Sequence, residues 1–156
     1  MATHDKTGVG GTTGHPSRLS AGVRAPYLVE NTIDNSLFDP ANADIIQAID
    51  VPAETLVLAA GVEVLTASSS SVTFDVGITG STAGHNDPDC WVDGYDATGT
   101  GLAPMDATDA AAMLVVKTAD TIDVLIGGAQ DTAGKMRVWA VLCDISGVNE
   151  DASNTS

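Results

Sequence analysis

The clearest alternation in the chain sets Val72, Phe74, Val76 and Ile78 against Thr73, Asp75, Gly77 and Thr79. This is the period-2 pattern of a strand with one buried and one wet face. The same period returns in Ile122, Val124 and Ile126, and again in Met136, Val138, Ala140 and Leu142. In that last segment the opposite positions, Arg137, Trp139, Val141 and Cys143, are also largely apolar, so the strand belongs at the centre of a sheet or under a partner subunit. The predicted strands are Tyr27–Ile33, Ile45–Val51, Thr55–Ala67, Val72–Ile78, Cys90–Tyr95, Ala112–Lys117, Thr121–Ile126 and Lys135–Ile145. Helical spacing is nearly absent. Short β-rich runs between Gly, Asp, Asn and Pro breaks predict an all-β fold, a two-sheet antiparallel sandwich of jelly-roll type. The apolar run Leu56–Leu65 is interrupted by Gly61, which predicts a bulge or bend there. Ser68–Ser71 reads as a hairpin turn. A faint echo links VTFDVGITGSTAG (72–84) with TIDVLIGGAQDTAG (121–134), as corresponding hairpins in two sheets would.

The pattern also sets the boundaries. Residues 1–25 are rich in Gly, Thr, Ser and His with hardly an apolar residue, too few to offset the entropy of ordering them alone. They are expected to form a flexible N-terminal arm, and the polar end, 147–156, a disordered C-terminal tail. The β-sandwich domain is then 26–146. A chain of 156 residues can bury roughly 68–70% of its unfolded surface without metals or disulfides. It holds only six aromatic residues, Tyr27, Phe38, Phe74, Trp91, Tyr95 and Trp139, so Val, Ile, Leu and Ala must fill most of the core. Cys90 and Cys143 are too few for a disulfide scaffold and read as reduced, structural thiols.

Charge narrows the partners. The formal net charge is −15, with residues 1–25 at +2 and the remaining 131 at −17. A body this acidic is repelled by phosphate backbones, and no basic stripe with interleaved aromatics offsets that, so nucleic acid is excluded as a partner. No run approaches the roughly 18 apolar residues that span a bilayer, and the start has no apolar signal core. The expectation is a chain made and used without secretion or membrane contact.

Little in the sequence points to catalysis. Of His4, His15 and His85, two lie in the arm, and His85-Asn86-Asp87-Pro88-Asp89-Cys90 lacks the recurring ligand pair of a zinc site. Asp87, Asp89, Asp93 and Asp96 depart from calcium-loop spacing, Asp89 and Asp93 lying about 13 Å apart on an extended segment. The sequence GVGG at 8–11 is followed by neither helix nor phosphate-binding lysine, and no serine sits in a nucleophile elbow. The reading is a protein without enzymatic activity, cofactor or metal. An adhesion or carbohydrate-binding module is the second class, with Trp91, Tyr95 and Trp139 as a sugar-stacking platform, provided that those rings are exposed.

The segments ADIIQAIDVPAETLVLAAGVEV (43–64), ADTIDVLIGGA (119–129) and KMRVWAVLCDI (135–145) resemble small β-sandwich virion proteins of tailed bacteriophages, including cyanobacterial phages. The resemblance covers roughly 43–146 and implies a head decoration, or cement, subunit. It further implies the major capsid protein as partner, a homotrimer, and a place on the capsid exterior after synthesis in the host cytoplasm. On this reading the arm, through Lys6, Arg18 and Arg24, and the second apolar face of the last strand, through Trp139, are the partner-binding residues. A free arm of this length spans at most about 80–90 Å.

Overall fold

The computed structural model describes residues 1–5, 25–80, 86–105 and 113–146. The strands are β1 (Thr3–Asp5), β2 (Tyr27–Asp34), β3 (Ile45–Val51), β4 (Thr55–Thr66), β5 (Thr73–Thr79), β6 (Asn86–Asp96), β7 (Gly101–Leu102), β8 (Leu114–Val116), β9 (Asp120–Gly127) and β10 (Lys135–Asp144). They form two five-stranded sheets. The first, sheet A, runs β1-β3-β9-β5-β6, and the second, sheet B, runs β2-β10-β4-β7 with β8 also on β4. Apart from the parallel pair β1–β3, every pairing is antiparallel. Among the described residues the only helical element is the 3-10 turn Asn35–Leu37, capped by Asp34, whose Oδ1 accepts from the Ser36 amide at 3.2 Å.

The core lies between the sheets, where the alternating positions converge. Phe74, Val76 and Ile78 of sheet A, with Ile122, Val124 and Ile126, are fully buried. They face Met136, Val138, Ala140 and Leu142 of sheet B. As expected, β10 is central: it pairs with β2 on one side and β4 on the other. Only β5–β6 and β7–β8 follow one another within one sheet; the other connections cross between sheets.

Four details depart from the sequence reading. Gly61 is no bulge, since it pairs directly with Trp139; the irregularities of β4 flank it, at Leu58 and at Leu65. Ser68–Ser71 joins β4 of sheet B to β5 of sheet A, so it turns the chain between layers rather than closing a hairpin. The two echoing segments supply β5 and β9, which lie side by side in one sheet. Finally, Thr3–Asp5, placed in the arm for want of apolar residues, adds a parallel strand at the edge of sheet A beside Ile45–Gln47. Its hold is polar: Asp44 Oδ1 accepts from the Ala2 amide at 2.6 Å, and the Ile45 amide donates to the Ala2 carbonyl at 2.8 Å.

A buried carboxylate ties three loops together. Asp131 is fully buried and accepts from Asn35 Nδ2 (2.7 Å) and Ser68 Oγ (3.0 Å) on one oxygen, and from the amides of Ala133 (3.3 Å) and Gly134 (2.8 Å) on the other. The segments before β3, β5 and β10 are thereby joined at one end of the sandwich.

Candidate docking surface

The outer faces of the two sheets differ in character. On sheet A, Asp123 is 1% exposed although it alternates with the core residues of β9. It is covered because β6 starts earlier than its apolar run: Asn86 and Asp87 pair with Thr79 and Ile78, and a bulge follows before Val92 meets Val76. A side chain at Gly77 would collide with the Asp87 carbonyl and Pro88, so glycine is what lets this backbone pass. Asp123 accepts from the Thr79 amide (3.2 Å), the Thr79 hydroxyl and the Thr121 hydroxyl (2.6 Å). Burial raises its pKa above the ordinary carboxylate value, and these hydrogen bonds offset only part of the rise. Asp75 is raised too, first by burial and then by the charges of Asp93 and Asp89, against a lowering hydrogen bond from the Gly94 amide at 2.6 Å. Among the described residues no group of three or more His, Cys, Asp or Glu could hold a metal ion.

On sheet B, β2, β10 and β4 set Leu28 beside Val141, Glu30 beside Trp139, and Arg137 beside Glu63. With Leu102 of β7 these residues line a shallow groove of about 530 Å³, formed by Leu28, Glu30, Glu63, Leu102, Arg137 and Trp139. Leu28 is 63% and Leu102 61% exposed. The Trp139 indole lies over Gly61, where an added Cβ would come 2.8 Å from Cζ2 and 3.2 Å from Nε1. Glycine at 61 is therefore what allows the ring to lie flat on the sheet, and the buried Nε1 has no hydrogen-bond partner there. Arg137 donates through Nε (3.0 Å) and Nη2 to Glu63 Oε2, with Glu30 3.9 Å away. Glu63 holds the guanidinium in its charged form. Lys135 and Asp34 form a further ion pair at 3.9 Å.

Of the residues expected to bind a partner, Trp139 is thus on an outer face and half-buried. Lys6, Arg18 and Arg24 lie outside the described residues, as does His85. The aromatic platform is not formed: Trp91 is fully buried in the core. Cys90, Trp91 and Val92 are buried in succession because the bulges of β6 break its alternation. Cys90 is buried and Cys143 half-buried, and neither is in a disulfide. Leu28, Leu102 and the Glu30–Arg137–Glu63 group were missed. Each is unremarkable along the chain, and only the register of four strands brings them together.

Three solved capsids contain chains with this fold. A chain in the capsid of Ralstonia phage GP4 is similar with a TM-score of 0.66 at 18% identity, over 92% of this chain and 98% of that one. One in the acidic stable capsid of Helicobacter pylori bacteriophage KHP30 gives 0.53 at 12% identity, covering 78% and 90%. One in the capsid asymmetric unit of cyanophage Pam1 gives 0.53 at 18%, covering 81% and 93%. At these identities the likeness is one of fold, and it agrees with the resemblance seen in the strand segments. No family model matches the chain, and no curated protein matches it.

Proposed function

We propose that this chain is a structural virion protein without enzymatic activity, a cement subunit that decorates a phage capsid from outside and stabilises its shell. The observation that carries the reading is the extent of the shared fold: nearly the whole of a chain from a phage capsid superposes on nearly the whole of this one. The chemistry of the described residues agrees with it. The two most deeply buried carboxylates, Asp123 and Asp131, are occupied by hydrogen bonds that join strands and loops, as in a protein whose task is mechanical.

The major capsid protein is the expected partner, and a closed homotrimer suits local threefold points of a shell. Several weak contacts on one assembly raise avidity by about 10²–10⁴. The segment carrying Lys6, Arg18 and Arg24 supplies one such contact.

The test is co-sedimentation of the purified full chain with shells assembled from the phage's major capsid protein, alongside the disruption temperature of those shells. Saturable binding and a higher disruption temperature are expected. Joint replacement of Lys6, Arg18 and Arg24 by Ser is expected to weaken binding chiefly at low salt, where exposed charges are least screened. Shells that neither bind the chain nor gain stability would sink the reading.

A further inference from the structure

The groove on sheet B holds an arginine together with the two carboxylates that pair with it. Among the described residues the lysines and arginines are Lys117, Lys135 and Arg137, and two of these three lie on this face, each paired with carboxylates of the neighbouring strands. Across the sandwich, Asp89 and Asp93 lie close enough to Asp75 on sheet A to disfavour its ionisation. Two copies of a chain carrying −15 repel one another, and the approach that brings fewest unpaired carboxylates together is groove to groove or groove to flank. The same face exposes leucine at Leu28 and Leu102 around an indole fixed by Gly61. A rigid aromatic residue with two exposed leucines and a compensated arginine around it carries the residue types of an interface hot spot.

We infer that this groove is where copies of the chain meet: a neighbouring copy covers Leu28, Leu102 and Trp139, while Arg137 stays held by its own Glu63. The inference rests on the homo-oligomer of the proposed function and names its surface, and it can be tested with no capsid present. Sedimentation velocity of the full chain over a range of concentrations is expected to show a reversible oligomer that tightens as salt rises from about 0.05 to 0.5 M, because salt screens the repulsion between acidic bodies. Trp91 is already buried, so association is expected to shift the emission of Trp139 alone to shorter wavelength. Leu28→Asp and Leu102→Asp alter exposed positions and are expected to raise the dissociation constant about 30-fold or more, the scale of an interface hot spot. Asp93→Ser on sheet A is expected to leave association intact or strengthen it.

A native chain that stays monomeric near 100 μM, an oligomer unmoved by either leucine substitution, or association without a change in Trp139 emission would each overturn the inference. The two readings fail separately. A chain that oligomerises through this face yet ignores shells sinks the cement role alone. One that binds shells while its oligomer survives both substitutions sinks the interface alone.

Discussion

Asp131→Ala removes an acceptor on which four donors converge, and its cost follows from which of them can reach water. The Ala133 amide is at an exposed residue and can be hydrated. Asn35 is fully buried, its own Oδ1 already lacks a partner, and its Nδ2 would lose its 2.7 Å bond. The Gly134 amide, buried with its 2.8 Å bond to Oδ1, is in the same position. Leaving a buried donor unsatisfied costs about 1–3 kcal/mol, so the two together, with the weakened Ser68 contact, imply a loss of about 3–5 kcal/mol. Asp131→Asn keeps one carbonyl oxygen but turns an amide N–H₂ toward donors, so an intermediate loss is expected. Urea unfolding followed by circular dichroism measures both, and the slope of the transition is expected to stay unchanged, since the same surface is exposed on unfolding. A loss below about 1 kcal/mol in the alanine variant would refute the argument, because the donors would then have found other partners and the loops would not depend on this carboxylate.

Phe74→Ala, at a position with no exposed surface, is expected to cost about 3–5 kcal/mol in the same assay, and a near-neutral result would place the ring outside the core. Gly61→Ala drives a methyl group into the indole of Trp139; a change in tryptophan emission and a loss of about 1–3 kcal/mol are expected, and unchanged emission would mean that the ring does not lie on the sheet. The pKa of Asp123 is raised above its ordinary 3.8. Between 3.8 and the raised value the folded chain holds a proton that the unfolded chain has released, so stability falls as pH rises through that window and then levels off. Measured against Asp123→Asn, the native chain is expected to show this extra decline. A difference that does not vary with pH would remove burial as the cause.

The parts of the fold legible in the sequence were those specified by apolar alternation. Val72 to Ile78, Ile122 to Ile126 and Met136 to Leu142 name their own buried faces, and the doubly apolar β10 names its central place. What escaped was specified otherwise. The start of β6 runs through Asn86, Asp87, Pro88 and Asp89, residues that favour turns and enter the sheet only by passing over Gly77. That passage buries Asp123, which alternation assigned to solvent. The strand β1 is fixed by backbone hydrogen bonds and by Asp44, leaving no hydrophobic trace. At the candidate site only Trp139 was visible, since the groove around it depends on the register of β2 and β4 against β10 and of β7 against β4.

The order in which the strands are made carries a kinetic consequence. Among the described residues the edge strand β2 pairs only with β10, and β10 also supplies the continuous partner of β4. During synthesis neither can complete its sheet until residues 135–144 exist. Sheet A has a similar dependence, because β9 must enter between β3 and β5. Such non-local pairing belongs to chains that fold in milliseconds to seconds rather than microseconds. A nascent chain of this protein therefore carries β2 without its partner until β10 is made, and β10 is the strand that commits sheet B to its final form.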